Sequence, residues 1–236
     1  MLHKESVETE TLDLIHILMA DRALSGFNLV GGTSLALMMG HRKSIDIDLF
    51  TDRDFDAASL EKHLSLSYNV DRLNRSGNNI WCIINGIKVD LIAHQYPILK
   101  PVEAVEGIRM LSMEDIGAMK IHAIFQSGTR LKDFVDMHFL LEKMPLQQIT
   151  KGYIEKYPGV NVAMAHLALS FHDDINLRNK IDFLGKDIPF PVIAARLQQA
   201  MLNPAMIFKN TLNEKASEDI AKENKNGLRK GRGRRM

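Results

Sequence analysis

A mixed α/β fold is what this sequence predicts, with a strand-rich first half on a mixed sheet and a helical second half. Three observations carry that expectation. Ile87, Val89 and Leu91 alternate with Lys88 and Asp90, and Asn85-Gly86, a strong hairpin signal, joins them to the apolar run 80–84. A glycine pair, Gly31-Gly32, closes the apolar run before a helical stretch. From Ser112 onward the apolar residues recur at helical spacing instead.

Residues 6–24 carry Leu12, Ile15, Leu18 and Met19 at helical positions. A short strand over 28–30 runs into the glycine pair, and 33–39 forms a helix whose leading N–H groups are available to an anion. A strand carrying Asp46-Ile47-Asp48 follows. The next helix spans 54–64, capped near Asp52 or Asp54, and strands over 68–73, 79–84 and 87–93 come after it. Pro97 and Pro101 mark a loop, with a brief strand over 107–110. Ser112-Met113-Glu114-Asp115 is a capping arrangement ahead of Ile116, Met119, Ile121 and Ala123. Gly128 ends that helix and 131–141 forms another. Pro145 and Pro158 punctuate further helices, one over 162–170, and Pro191 suits the first turn of a last one reaching about 202. The sequence divides into an α/β unit over 1–105, a helical unit over 106–215 and a basic tail over 216–236 that is expected to be disordered.

Composition places few other bounds. The chain has 236 residues, 45% hydrophobic and 25% charged, which is ordinary for a globular protein. Its one cysteine, Cys82, cannot form an internal disulfide and suits a reducing, cytoplasmic setting. No apolar run has the length of a membrane span, and the N-terminus lacks a signal-peptide pattern, so no membrane partner is expected. Net charge is +1, but the last fifteen residues hold seven Lys or Arg and one acidic residue. Such a tail makes salt-sensitive contacts to RNA phosphates, or simply solubilises the chain.

The chemistry concentrates in one stretch. Leu29-Val30-Gly31-Gly32-Thr33-Ser34 is followed, after eleven residues, by Asp46-Ile47-Asp48-Leu49-Phe50. On an extended strand Asp46 and Asp48 point the same way, about 7 Å apart, and Ile45, Ile47 and Leu49 point to a core. Neighbouring carboxylates repel unless a cation lies between them, and hard divalent ions prefer carboxylate oxygens. The plain alternative is an acidic surface strand. Asp90 adds a third carboxylate on a strand able to lie alongside, and three carboxylates can hold two metal ions; a solvated sheet residue is the other reading. Lys120, on a mostly apolar helix, either snorkels to solvent or reaches a phosphate. Asp133 and Asp136 lie three apart on the next helix, where Arg130 or Lys132 would pair with them, and Asp136 faces inward. His41-Arg42-Lys43 offers cations to a phosphate or is a solvated loop. The histidines, His94 and His122 among them, lack metal-ligand spacing, so no zinc site follows.

These segments resemble a known family. Gly31 to Ser34, His41-Arg42 through Phe50, and Lys88-Val89-Asp90-Leu91-Ile92 are similar to the nucleotidyltransferase fold of the DNA polymerase β superfamily. More narrowly they resemble its AbiEii/AbiGii toxin family. Lys120-Ile121-His122-Ala123 and Lys132 to Asp136 extend the likeness, which covers about residues 25–142. The resemblance implies transfer of a nucleoside monophosphate from an NTP to an acceptor hydroxyl, with release of pyrophosphate. In several members the acceptor is tRNA and the protein is the toxin of a toxin–antitoxin pair. It implies that Asp46, Asp48 and Asp90 bind Mg²⁺ or Mn²⁺, and that Gly31, Gly32, Thr33 and Ser34 cradle the triphosphate. Lys120 would offset charge on the leaving pyrophosphate, and Asp136 would orient Lys120 or the acceptor. A protein or small-molecule acceptor, or a silent binding module, is the alternative. Two departures stand out: Gly32 occupies a place where the wider superfamily often has serine, and Ser127 stands where members often carry arginine, with Arg130 slightly later.

Overall fold

The alternating first half becomes a seven-stranded mixed sheet in the computed structural model, which describes residues 1–209. Its strands are β1 (Asn28–Val30), β2 (Ile47–Thr51), β3 (Val70–Ser76), β4 (Asn79–Ile84), β5 (Ile87–Ala93), β6 (Glu103–Val105) and β7 (Ile108–Met110). They lie in the order β3-β4-β5-β2-β1-β7-β6. β2 runs antiparallel to β1 and parallel to β5, and β7 runs parallel to β1. Helices α1 (Thr9–Ala20), α2 (Gly31–Met39) and α3 (Ala57–Ser67) interleave with the strands, and α4 (Met113–Gln126), α5 (Leu131–Leu140), α6 (Leu146–Lys156), α7 (Val162–Ser170) and α8 (Phe190–Leu202) follow.

Strand alternation gives the sheet two different faces. Ile47, Leu49, Val89 and Leu91 are fully buried in a core that also takes Leu14, Ile15 and Leu18 of α1 and Leu60 and Leu64 of α3. Asp48, Phe50, Asp90 and Ile92 therefore face the opposite way, toward the helical half, whose own core gathers Ile116, Ile121, Phe134, Leu140, Ile149 and Tyr153. One short helix serves both cores, because α2 sends Leu35 into the helical one and Leu37 into the sheet one. It ends at Gly40, whose φ of 63° is the left-handed conformation a helix C-cap favours and glycine adopts freely.

Most expected elements lie within a few residues of their predicted bounds, and the differences have local causes. β2 begins only at Ile47, so the alternation does not reach back to Ile45, which is 57% exposed instead of facing the core. The cap of α3 is Asp56, not Asp52 or Asp54; its carboxylate accepts the Ala58 and Ser59 N–H groups. β6 has no predicted counterpart. It pairs with β7 through Glu106-Gly107, both with positive φ (52° and 82°), a turn for which glutamate gives no sequence signal. Because β7 lies beside β1, the sheet unit runs through Met110, and the division between the halves falls at Ser112, not at residue 105. The 216–236 tail lies outside the described residues. Among those described, no helix is long and apolar enough to cross a membrane.

Ser112 caps α4 as its sequence predicts, accepting the Asp115 N–H at 3.0 Å. Asp115 itself does more. Wholly buried, it accepts the Leu99 N–H at 2.9 Å and the Lys100 N–H at 3.3 Å, and pairs with buried Lys156 at 2.9 Å. Lys156 also donates to the Pro97 carbonyl at 2.6 Å. One ion pair thus pins the proline-bounded linker to both α4 and α6. Removing one partner of a buried pair leaves an uncompensated charge. Asp115→Ala is expected to destabilise the fold by about 3–5 kcal/mol in urea unfolding, whereas a loss under about 1 kcal/mol would show that water replaces the carboxylate.

Candidate active site

A cleft of about 850 Å³ lies between the polar face of the sheet and the helical half. Its floor is the pair of parallel strands β2 and β5, in register so that Asp48 stands beside Asp90 and Phe50 beside Ile92. Asp46 lines the cleft from just before β2. Thr33 Oγ1 donates to the Asp46 carbonyl and lies 2.9 Å from Ser44 Oγ, fastening that approach to α2. Asp48 and Asp90 thus stand together as the alternation requires, while Asp46, ahead of the strand, lines the same cleft.

The glycine pair is fixed by what presses on it. Gly31 has φ of 70°, and a Cβ there would collide with Asp48 Oδ2. A Cβ at Gly32 would collide with Arg42 Nη2, so a serine here would have to displace the buried guanidinium. Both backbone groups line the cleft. Thr33 and Ser34 do not: their side chains are buried, Thr33 is engaged with the Asp46 approach, and Ser34 Oγ has no hydrogen-bond partner among the described residues. Their hydroxyls are thus no part of an anion cradle, because the first turn of α2 carries them inward.

Behind the carboxylates lies a buried ionic cluster. Asp136, with no exposed surface, receives Arg42 through two bonds, Nε to Oδ1 at 2.7 Å and Nη2 to Oδ2 at 2.9 Å. His41 Nε2 lies 2.8 Å from Oδ1 and Lys120 Nζ 2.7 Å from Oδ2. Lys120 also binds Asp133 at 2.8 Å, and Arg130 binds the other Asp133 oxygen at 2.7 Å. Burial opposes ionisation of Asp136, but Arg42 and Lys120 outweigh it and hold the carboxyl well below its ordinary range. Burial likewise opposes the Lys120 charge, and Asp136 and Asp133 reverse the balance and raise it. His41 goes the other way, since burial lowers it despite Asp136 and leaves the ring neutral. Of the two readings of His41-Arg42, the solvated loop is excluded, because both side chains are buried. Lys120 neither snorkels nor swings free; two carboxylates hold it at the cleft wall. Asp136 does not line the cleft, so it positions Lys120 and Arg42 and cannot touch an acceptor. Arg130, whose side chain is 63% exposed, joins exposed Lys132 and Lys180 as basic groups at the rim.

The carboxylates suit a hard divalent cation. Burial and the adjacent Asp90 push Asp48 up to about 6, the expected result of like charges side by side. Asp90 Oδ1 is buried with no hydrogen-bond partner among the described residues, while Oδ2 takes Lys88 Nζ at 2.7 Å. Among those residues no three His, Cys, Asp or Glu side chains converge as a ready-made metal shell. The donor set and its repulsion fit such an ion; the finished shell would need side-chain adjustment around it.

The sequence model described as "Nucleotidyl transferase AbiEii toxin, Type IV TA system" matches residues 15–76 and 86–157, both sides of this cleft. This chain belongs to the AbiEii nucleotidyltransferase toxin family. It is 32% identical over 154 residues to the Uncharacterized protein aq_aa25 of Aquifex aeolicus (strain VF5), a match covering 63% of this chain and 74% of that protein. Among solved structures it is similar to JHP933 from Helicobacter pylori, 14% identical, covering 93% of this chain and 100% of that one, with a TM-score of 0.45. An antigenic nucleotidyltransferase-like protein from Paracoccidioides brasiliensis is 15% identical, with 67% and 94% covered and a TM-score of 0.43.

In this AbiEii chain the sequence missed the aromatic side of the cleft, where Phe50, His94, His122 and Tyr157 meet from β2, the end of β5, α4 and the end of α6. Only the two-residue step from Asp48 to Phe50 and from Asp90 through Ile92 to His94 pointed there.

Asp48 gives a pH-dependent test. Its folded pKa, about 6, lies above the ordinary 3.8, so its contribution to stability is full below that lower value and is lost as pH rises through 6. Asp48→Asn carries no such charge. In chelator it is expected to be more stable than the parent by about 1–2 kcal/mol at neutral pH, with the gain gone in acid below the ordinary carboxylate range. Equal urea midpoints at neutral pH would show that the Asp48 charge is not penalised.

Proposed function

We propose that this nucleotidyltransferase is metal-dependent and moves a nucleoside monophosphate from an NTP to the hydroxyl of a tRNA, as the toxin of a toxin–antitoxin pair. The observation that carries the reading is the in-register pair Asp48–Asp90 set against the glycine turn that opens α2. Asp46, Asp48 and Asp90 would hold Mg²⁺ or Mn²⁺, which bind through carboxylates and substrate phosphates. When bound, such ions supply charge neutralisation and a template for in-line displacement at phosphorus.

The protein groups divide the remaining work. Asp90 takes the proton of the acceptor hydroxyl through its free oxygen. The acceptor oxygen bonds to the α-phosphorus as the bond to the β-phosphate breaks, and pyrophosphate leaves. Gly31 and Gly32 present N–H groups at the start of α2, where the helix dipole favours anions. Lys120 spends two of its three N–H groups on Asp133 and Asp136 and keeps one for the leaving group. Arg130 adds positive charge at the rim. The family's own description, a toxin of a type IV system, supports an antitoxin as partner. The lysines and arginines of residues 222–236 would supply contacts to RNA phosphates.

The test is incubation of the protein with total tRNA, Mg²⁺ and each labelled NTP in turn. Label should enter tRNA with one or more nucleotides, and Asp48→Asn should lower the rate by about a thousandfold or more, the scale of several kcal/mol of lost metal assistance. Label on protein, or pyrophosphate release without labelled RNA, would replace the tRNA acceptor. Full activity of Asp48→Asn would overturn the metal assignment.

A further inference from the structure

The cleft separates two kinds of chemistry. Cationic groups (Arg42, Lys120, Arg130, Lys132 and Lys180) line one part of it, and a heteroaromatic wall lines another. On β5, Ile92 stands one strand step beyond Asp90, with His94 following just past the strand's end, and Phe50 stands one step beyond Asp48; all of them line the cleft. Each step is about 7 Å along the strand. α4 adds Met119 and His122, and Tyr157 closes the wall.

The wall is built as a unit. The His122 and Tyr157 rings are stacked, 4.0 Å between centroids and 10° from parallel. Tyr157 Oη lies 3.0 Å from His94 Nε2, and the Phe50 and His94 rings are 5.4 Å apart. Both imidazoles are neutral at physiological pH: burial, with the Lys156 charge, lowers His94 to about 4, and burial lowers His122. Neutral rings carry no positive charge to draw a phosphate. A neutral imidazole has one ring N–H donor and one ring nitrogen acceptor; His94 shares its Nε2 with Tyr157, and the His122 ring makes no hydrogen bond among the described residues. His122 Nδ1 is buried with no hydrogen-bond partner among the described residues.

Resting on the transferase reading above, we propose that this wall is a nucleobase subsite, with His122 as its recognition residue. A base brings a π-face to lie on the partly exposed His122 ring beside Phe50, Ile92 and Met119, and a polar edge for the donors and acceptors that the wall exposes. It is joined through its ribose to a phosphate, which the carboxylate and cation part of the same cleft receives. The base belongs either to the incoming NTP or to the terminal nucleotide of the acceptor, and both present this chemistry.

The experiment is calorimetric binding of each NTP and of inorganic tripolyphosphate, with Mg²⁺, to the parent, His122→Leu and His122→Phe, alongside the KM for acceptor RNA. Thermal unfolding of both variants checks the fold. His122→Leu should bind its preferred NTP about 5- to 100-fold more weakly, the worth of one stacked base, with tripolyphosphate unchanged. His122→Phe, which keeps the ring, should retain most of the affinity and lose preference among the four bases. The same pattern in the RNA KM, with NTP affinity intact, would assign the wall to the acceptor's base. Equal weakening of NTP and tripolyphosphate, or no change in either NTP affinity or RNA KM, would overturn the subsite. A parent protein that binds neither NTP nor tripolyphosphate would overturn the transferase reading and the subsite with it.

Discussion

The buried Asp136 carboxylate is the constraint on which the rest of the site depends. An ionised carboxylate without solvent is tolerated only when its lone pairs are taken up, and here Arg42, Lys120 and His41 take them. Arg42 and His41 come from the stretch between α2 and β2, Lys120 from α4, and Asp136 from α5. One charge therefore ties the helical half to the segment leading into the aspartates. Arg42 also lies against Gly32, so the same ion pair fixes the width of the glycine turn. Geometry at the carboxylates is set from behind, by an acid that does not reach the cleft.

In front of that cluster the sheet does something proteins ordinarily avoid. Register places Asp48 and Asp90 side by side, partly out of water, with the charges of Lys120 and Lys88 balancing them only in part. The fold tolerates this because its stability comes from elsewhere: the hydrophobic face of the same strands is fully buried, and packing there fixes which way the acidic face must look. The repulsion is a local cost held in place by a distributed gain.

How much of this was legible follows from where each signal resides. Asn85-Gly86, the Ser112 cap and the alternation of Ile87 to Leu91 act over a few residues, and their elements are present within narrow limits. The aspartates were legible because alternation alone puts Asp48 and Asp90 on one face. Other features depend on partners distant in sequence. The pairing of His41 and Arg42 with Asp136 spans over 90 residues, and nothing local distinguishes those cations from a solvated loop. Thr33 and Ser34 read as phosphate ligands since hydroxyls after glycines suggest a cradle; the rotation of α2 decides otherwise. His94, His122 and Tyr157 become one surface only after β5, α4 and α6 are packed.

The nine residues of α2 have a consequence for how this chain can change over generations. Its first residues form the glycine turn, its middle sends Leu35 and Leu37 into two separate cores, and its end delivers His41 and Arg42 to their acid. An added or deleted residue rotates everything beyond it by about 100° and shifts it by 1.5 Å. Leucine can drift to methionine there at little cost. A single-codon insertion or deletion would misplace both cores and the Asp136 clamp at once, so this helix is a ruler whose length is far less free to vary than its lettering.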